Sequence, residues 1–102
     1  MKRDGGKNND RDQKAIARHE IFGSINDFCL AAKRKLKYGG AFYAVYRPDR
    51  LPDLITAMRN ASIEPKRMTF VHASVGKEAS MVLVEGKRAG KSGMVLTPPF
   101  II

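Results

Sequence analysis

The stretch GGAFYAVYRPDRLPDL, residues 39–54, decides the fold. Its six central residues, 41–46, are apolar or aromatic throughout rather than alternating. A short run of that kind reads as a strand buried on both faces, as in parallel sheets. Gly39 and Gly40 stop whatever precedes it, and Arg47-Pro48 ends it. On its C-terminal side Leu51, Leu54, Ile55 and Met58 recur at helical spacing, with Pro52 tolerated in the first turn. On its N-terminal side Ile25, Phe28, Cys29, Ala32 and Leu36 form a second apolar stripe. Ser24 is placed as its N-cap, with Asp27 three residues on, and Lys33, Arg34, Lys35 and Lys37 suit the negative end of its dipole. A buried strand between two amphipathic helices is the unit of an α/β layer fold.

Beyond the second helix, 62–65 reads as a break, 67–73 as a strand, 74–78 as a loop and 79–88 as a longer strand. Two successive strands without a crossover helix must pair antiparallel. Residues 94–100 read as one last short edge strand, closed by Pro98 and Pro99, which cannot donate to a ladder. Upstream, QKAIARHEIF (13–22) reads as a short helical turn. Residues 1–13 carry no apolar side chain after Met1 and are expected to be disordered in isolation.

The 102 residues make one domain at most. No apolar run approaches the ~20 residues of a membrane span, and the polar N-terminus is no secretory signal. Cys29 is the single cysteine, so no internal disulfide forms, which fits a reducing cytoplasm. Nineteen Lys and Arg against ten Asp and Glu give a net charge of +9, which attracts polyanions and nucleic acid foremost. Lys33, Arg34, Lys37, Arg47, Lys66, Arg67, Lys87, Arg88 and Lys91, or a subset on one face, are the expected RNA contacts. No His/Cys cluster has metal-ligand spacing, and no pair suggests a nucleophile with its base.

Arg18-His19-Glu20, then Arg47-Pro48 with Arg50-Leu51-Pro52, then Val71-His72 leading through Gly76-Lys77 to Val82-Leu83-Val84-Glu85, occur in a particular order and spacing. Across residues 14–102 this pattern resembles the C-terminal half of the bacterial tRNA1(Val) adenine-37 N6-methyltransferases. The resemblance implies the C-terminal part of a Rossmann-like sheet, helix-strand-helix followed by an antiparallel strand pair, with 41–46 as the fifth strand. It also implies transfer of a methyl group from S-adenosylmethionine to an adenine N6 in tRNA. The substrate contacts expected are Arg18, His19, Arg47, Arg50 and Arg88. Arg47 ends a parallel strand, the edge where ligands of open α/β sheets bind.

The family's Gly-rich cofactor loop and acidic ribose ligand find no place here, since Gly5-Gly6 sits in a polar tail with no strand before it. The N-P-P-[YF] motif that grips adenine belongs after the fourth strand. Thr97-Pro98-Pro99-Phe100 is one letter from it but follows the last strand. Thr97 also offers a hydroxyl where the motif needs an amide that both accepts and donates. The expectation is therefore a C-terminal fragment that binds no S-adenosylmethionine and methylates nothing alone. Its strand 41–46 is expected to lack a parallel neighbour and to seek one, in a second copy or in an N-terminal half. Two other readings stand beside this: a non-catalytic basic module that binds RNA or completes a partner, and a remnant without function.

Overall fold

The computed structural model describes residues 14–18 and 24–102. The elements in chain order are β1 (Lys14–Arg18), α1 (Ile25–Lys35), β2 (Ala41–Tyr46), a single 3-10 turn (Pro48–Arg50), α2 (Leu51–Asn60), β3 (Ile63–His72), β4 (Ala79–Arg88), β5 (Val95–Leu96) and β6 (Phe100–Ile101). The sheet order is β1-β2-β4-β3-β5, with β6 also on β3. β1 pairs parallel with β2, and β4 runs antiparallel between β2 and β3. The fold class is as expected: an α/β sheet in which helix-strand-helix is followed by an antiparallel pair.

Local chemistry explains the helices. The Ser24 hydroxyl accepts from the Asp27 N–H at 3.0 Å, capping α1, and three cations fill the last turn. Pro52 sits in the first turn of α2, where its missing N–H costs nothing. Both helices pack on one face of the sheet. Cys29, Ala32 and Leu36 of α1 and its end, with Leu54, Ala57 and Met58 of α2, join Ala17, Phe42, Ala44, Ile63, Met68, Val82 and Val84 in one core. Phe28 meets Phe42 edge-on, ring centroids 6.1 Å apart. The intervening strand residues point to the other face, which no described helix covers.

Four expectations need correction. Lys14–Arg18 is a strand, not part of a helical turn. Lys, Ala and Arg are good helix formers, but Ala15 and Ala17 alternate toward the core while Ile16 faces out, and the vacant edge of β2 supplies a row of hydrogen-bond partners. It follows that β2 is not an open edge. It is paired on both sides, and its neighbour opposite β1 is the antiparallel β4 rather than a second parallel strand. β3 starts at Ile63, inside the expected break. Ser62 takes a positive φ of 61° to turn the chain, and Pro65 is accommodated beside a register shift between Pro65 and Arg67. Finally, the chain's last strand is two short ones, β5 and β6, each parallel to β3 and separated by the two prolines. The expectation of disorder for 1–13 falls outside the described residues.

Candidate functional site

The parallel strands β1 and β2 both end at the same side of the sheet, and there a cleft of about 370 Å³ opens between the two helices. Ser24, Ile25 and Asn26 at the start of α1 line it on one side. Tyr46, Arg50, Asp53 and Thr56 line it on the other. Burial pushes the Tyr46 hydroxyl above the usual phenol range. The Arg50 charge opposes this, while Cys29 and Asp53 reinforce it. The Cys29 thiol, fully buried under α1, is pushed up to about 11, which leaves it an unreactive small hydrophobe at neutral pH.

Of the expected substrate contacts, the structure brings Arg47 and Arg50 to this edge. Arg47 makes a forked pair with Asp49, Nε to Oδ1 at 3.0 Å and Nη2 to Oδ2 at 2.8 Å. Arg50 pairs with Asp53 at 2.7 Å. All four side chains are exposed, so each pair holds its geometry without being worth more than about 1 kcal/mol. The backbone of Arg18 stands opposite Val45, at the same edge, and His19 lies outside the described residues. Arg88 is not brought to them. It lies at the far end of β4, beyond Lys87, which is paired with Ala41 at the start of β2. Its guanidinium carbon sits 4.6 Å from the Tyr38 ring centroid.

His72 and Thr97 both make hydrogen bonds within the chain. His72 Nδ1 donates to the Lys77 carbonyl at 2.7 Å, closing the loop between β3 and β4. Thr97 lies on the outer edge of β3. Its hydroxyl meets that of Thr69 at 2.6 Å and its N–H donates to Met68 O at 3.0 Å. The hydroxyl and the N–H of Thr97 are thus both engaged within the chain. Among the described residues no group of His, Cys, Asp or Glu is arranged to hold a metal. No described helix is long and apolar enough to cross a membrane.

The strand-to-helix turn described in full is not built as the glycine cradle of S-adenosylmethionine. A cofactor cradle needs glycine between strand and helix so that backbone can approach the ligand. The one strand-to-helix turn described in full, between β2 and α2, is Arg47-Pro48-Asp49-Arg50, rigid at Pro48 and crowded by two ion pairs. The sequence pointed to Arg47 and Arg50. It missed their carboxylate partners, although Asp49 and Asp53 follow each arginine by two and three residues, a spacing that turn and helix geometry bring together.

No protein-family model matches the sequence, and no curated protein does. Solved structures do match. A predicted O-methyltransferase from Agrobacterium tumefaciens superposes with a TM-score of 0.78 at 20% identity, over 87% of this chain and 42% of that one. M1.HpyAVI in complex with SAM superposes with a TM-score of 0.52 at 8% identity, over 83% of this chain and 56% of that one. The chain thus spans less than two thirds of either neighbour. At these identities the likeness carries the fold alone: an α/β sheet that superposes on part of each of these two neighbours.

Proposed function

We propose that this chain serves as the C-terminal, substrate-side part of an S-adenosylmethionine-dependent methyltransferase acting on adenine N6 in tRNA. The observation that carries the reading is the strand order β1-β2-β4-β3, with one antiparallel strand inserted between parallel ones, in a chain that superposes on methyltransferases. The choice of tRNA adenine rests on the motif order from Arg18 to Glu85 and on the net charge of +9. Arg47 and Arg50 then act by binding and orientation. Each guanidinium matches phosphate geometry, and a weak exposed carboxylate pairing is readily exchanged for an RNA phosphate. The cofactor supplies an electrophilic methyl group, and the residues that hold it come from an N-terminal part of the fold.

The test has two arms. The chain alone is titrated with S-adenosylmethionine by calorimetry. It is then combined with an N-terminal polypeptide carrying a Gly-rich loop and an N-P-P-[YF] turn, and supplied with tritiated cofactor and a tRNA transcript. The expected result is no micromolar cofactor binding by the chain alone and label recovered as N6-methyladenosine from the combination. Label on hydroxyl groups instead, or tRNA that is neither bound nor methylated, overturns the proposal. The Pro48-rigid, ion-paired turn between β2 and α2 favours one alternative, a non-catalytic basic RNA-binding or partner-completing module. That reading gains if the chain binds tRNA but no combination yields methylation.

A further inference from the structure

At the end of the sheet opposite the cleft, a second pocket of about 390 Å³ is lined by Tyr38, Gly39, Lys66, Lys87, Arg88, Ala89, Gly90 and Lys91. Four of these carry positive charge and none carries negative charge. The nearby acids are engaged elsewhere: Glu64 holds Arg59 at 3.2 Å, and Glu85 faces Arg67 at 4.0 Å. Lys66 owes its place to the register shift between Pro65 and Arg67, which breaks the alternation of β3 and re-aims one side chain. Its Nζ donates to the Lys91 carbonyl at 2.6 Å, leaving two N–H donors to spare.

The frame around these cations is built, not incidental. Arg88 N–H donates to Gly40 O and Arg88 O accepts from Gly39 N–H, both at 2.9 Å. Ala89 takes a positive φ of 59° and its N–H donates to Ser62 O at 2.7 Å, while Gly90 N–H donates to Lys87 O at 3.1 Å. Arg88 lies on the Tyr38 ring, and its Nε is buried with no hydrogen-bond partner among the described residues. A guanidinium with no carboxylate partner among the described residues, in a pocket it shares with three lysines, is an arrangement that an anion would stabilise.

We infer that the pocket formed by Tyr38, Lys66, Lys87, Arg88 and Lys91 is a phosphate site that takes a backbone phosphate of RNA. It lies a strand's length, roughly 20 Å, from the edge where Arg47 and Arg50 stand. Phosphate fits better than carboxylate because four cationic residues line one pocket, and the guanidinium fork matches phosphate oxygens. RNA fits better than a free anion because Tyr38 is 80% exposed and offers a ring on which a neighbouring base stacks. The inference rests on the tRNA reading for the identity of the RNA, not for its chemistry.

The full chain is assayed by filter binding with a twelve-nucleotide oligouridylate and with a tRNA transcript across a salt series. Lys87→Gln with Lys91→Gln removes two exposed pocket charges without touching the core. Lys35→Gln with Lys77→Gln removes two charges elsewhere. The pocket variant loses about tenfold in affinity for both RNAs, and its log-log salt slope becomes shallower by about 0.7 for each phosphate of the single strand that is no longer neutralised. The control variant changes less than twofold, and Lys87→Arg with Lys91→Arg retains binding. Equal losses in the pocket and control variants mean diffuse charge and overturn the site. If inorganic phosphate shifts the Gly90 and Gly93 amide resonances but the pocket variant binds both RNAs normally, the site serves a free anion and the RNA assignment is lost. If polyglutamate loses as much affinity as RNA in the pocket variant, the surface recognises acidic chains and the inference is equally overturned. Should the pocket variant behave as expected while tRNA binds no tighter than oligouridylate, the phosphate site stands and the tRNA reading fails.

Discussion

Gly86, on β4 where it faces α2, has no room for a side chain. A Cβ there would sit 2.5 Å from Met58 Cε and 2.8 Å from Ile63 Cγ2, with the Glu64 carbonyl at 3.3 Å. Met58 can swing its methyl away, but the branched Ile63 and the Glu64 backbone cannot. Gly86→Ala is therefore expected to lower stability by about 1–3 kcal/mol, read as a lower urea midpoint with an unchanged slope. Cys29 makes a pH-dependent contribution. Its folded pKa is raised from 9.0 to about 11 by burial, so the native state holds the proton more tightly than the unfolded chain. That contribution is complete below about pH 9 and is lost as pH rises toward 11. Urea titrations at pH 8 and pH 10.5 should show a steeper loss for the natural chain than for Cys29→Ala, which has no thiol to ionise. Equal losses would mean that the thiol does not titrate in this range.

Among the elements, β1 is the one whose identity matters most. It converts β2 from an edge into an interior strand, using five residues whose helix-forming composition hides a two-residue alternation. Ala17 is fully buried against the helix layer. Ala17→Asp places a carboxylate there without a partner, and is expected to detach β1 and bare the apolar flank of β2. Hydrogen exchange should then show the β2 amides that pair with β1 losing protection while those of the β3–β4 pair keep theirs. Unchanged protection would show that β1 contributes nothing to the sheet. At the other margin, the prolines of 97–102 divide one expected strand into β5 and β6. The Thr69–Thr97 hydrogen bond and the Ile102 N–H to His72 carbonyl bond fasten the tail between and after them.

At the scale of the whole molecule, the described helices cover one face of the sheet only. The other carries Ile16, 55% exposed, and Leu83, 38% exposed, with Tyr43 and Val45 half-buried between them. An apolar face of this kind is a surface on which association is expected. With β2 paired on both sides, the association expected from strand 41–46 is predicted instead at this face or along the outer side of β1, which pairs with no described strand. Sedimentation of the purified chain should show weak, concentration-dependent self-association. Ile16→Lys with Leu83→Lys should abolish it, with little change in thermal midpoint because neither side chain is in the core. Persistent association in that variant would assign the contact to the β1 edge instead.

The sequence by itself determined what depends on near neighbours in the chain. The two helices were legible from their apolar stripes, Ser24 from its capping spacing, β2 from an unbroken apolar run, and the antiparallel β3–β4 pair from the lack of a crossover segment. Arg47 was legible as an edge residue because strand direction fixes which end of β2 it occupies. Tertiary structure decided what depends on partners far along the chain. Residues 14–18 carry a helix-forming composition, and only the waiting edge of β2 makes them a strand. Pro65 reads as a breaker, and only the bulge against β4 lets β3 pass through it. Arg88 reads as one more cation beside Arg47. Only the antiparallel course of β4 carries it to the opposite end of the sheet, onto Tyr38 and among three lysines. Propensity and spacing act over a few residues, while strand pairing joins groups tens of residues apart, and that difference in range separates what the sequence shows from what the fold alone reveals.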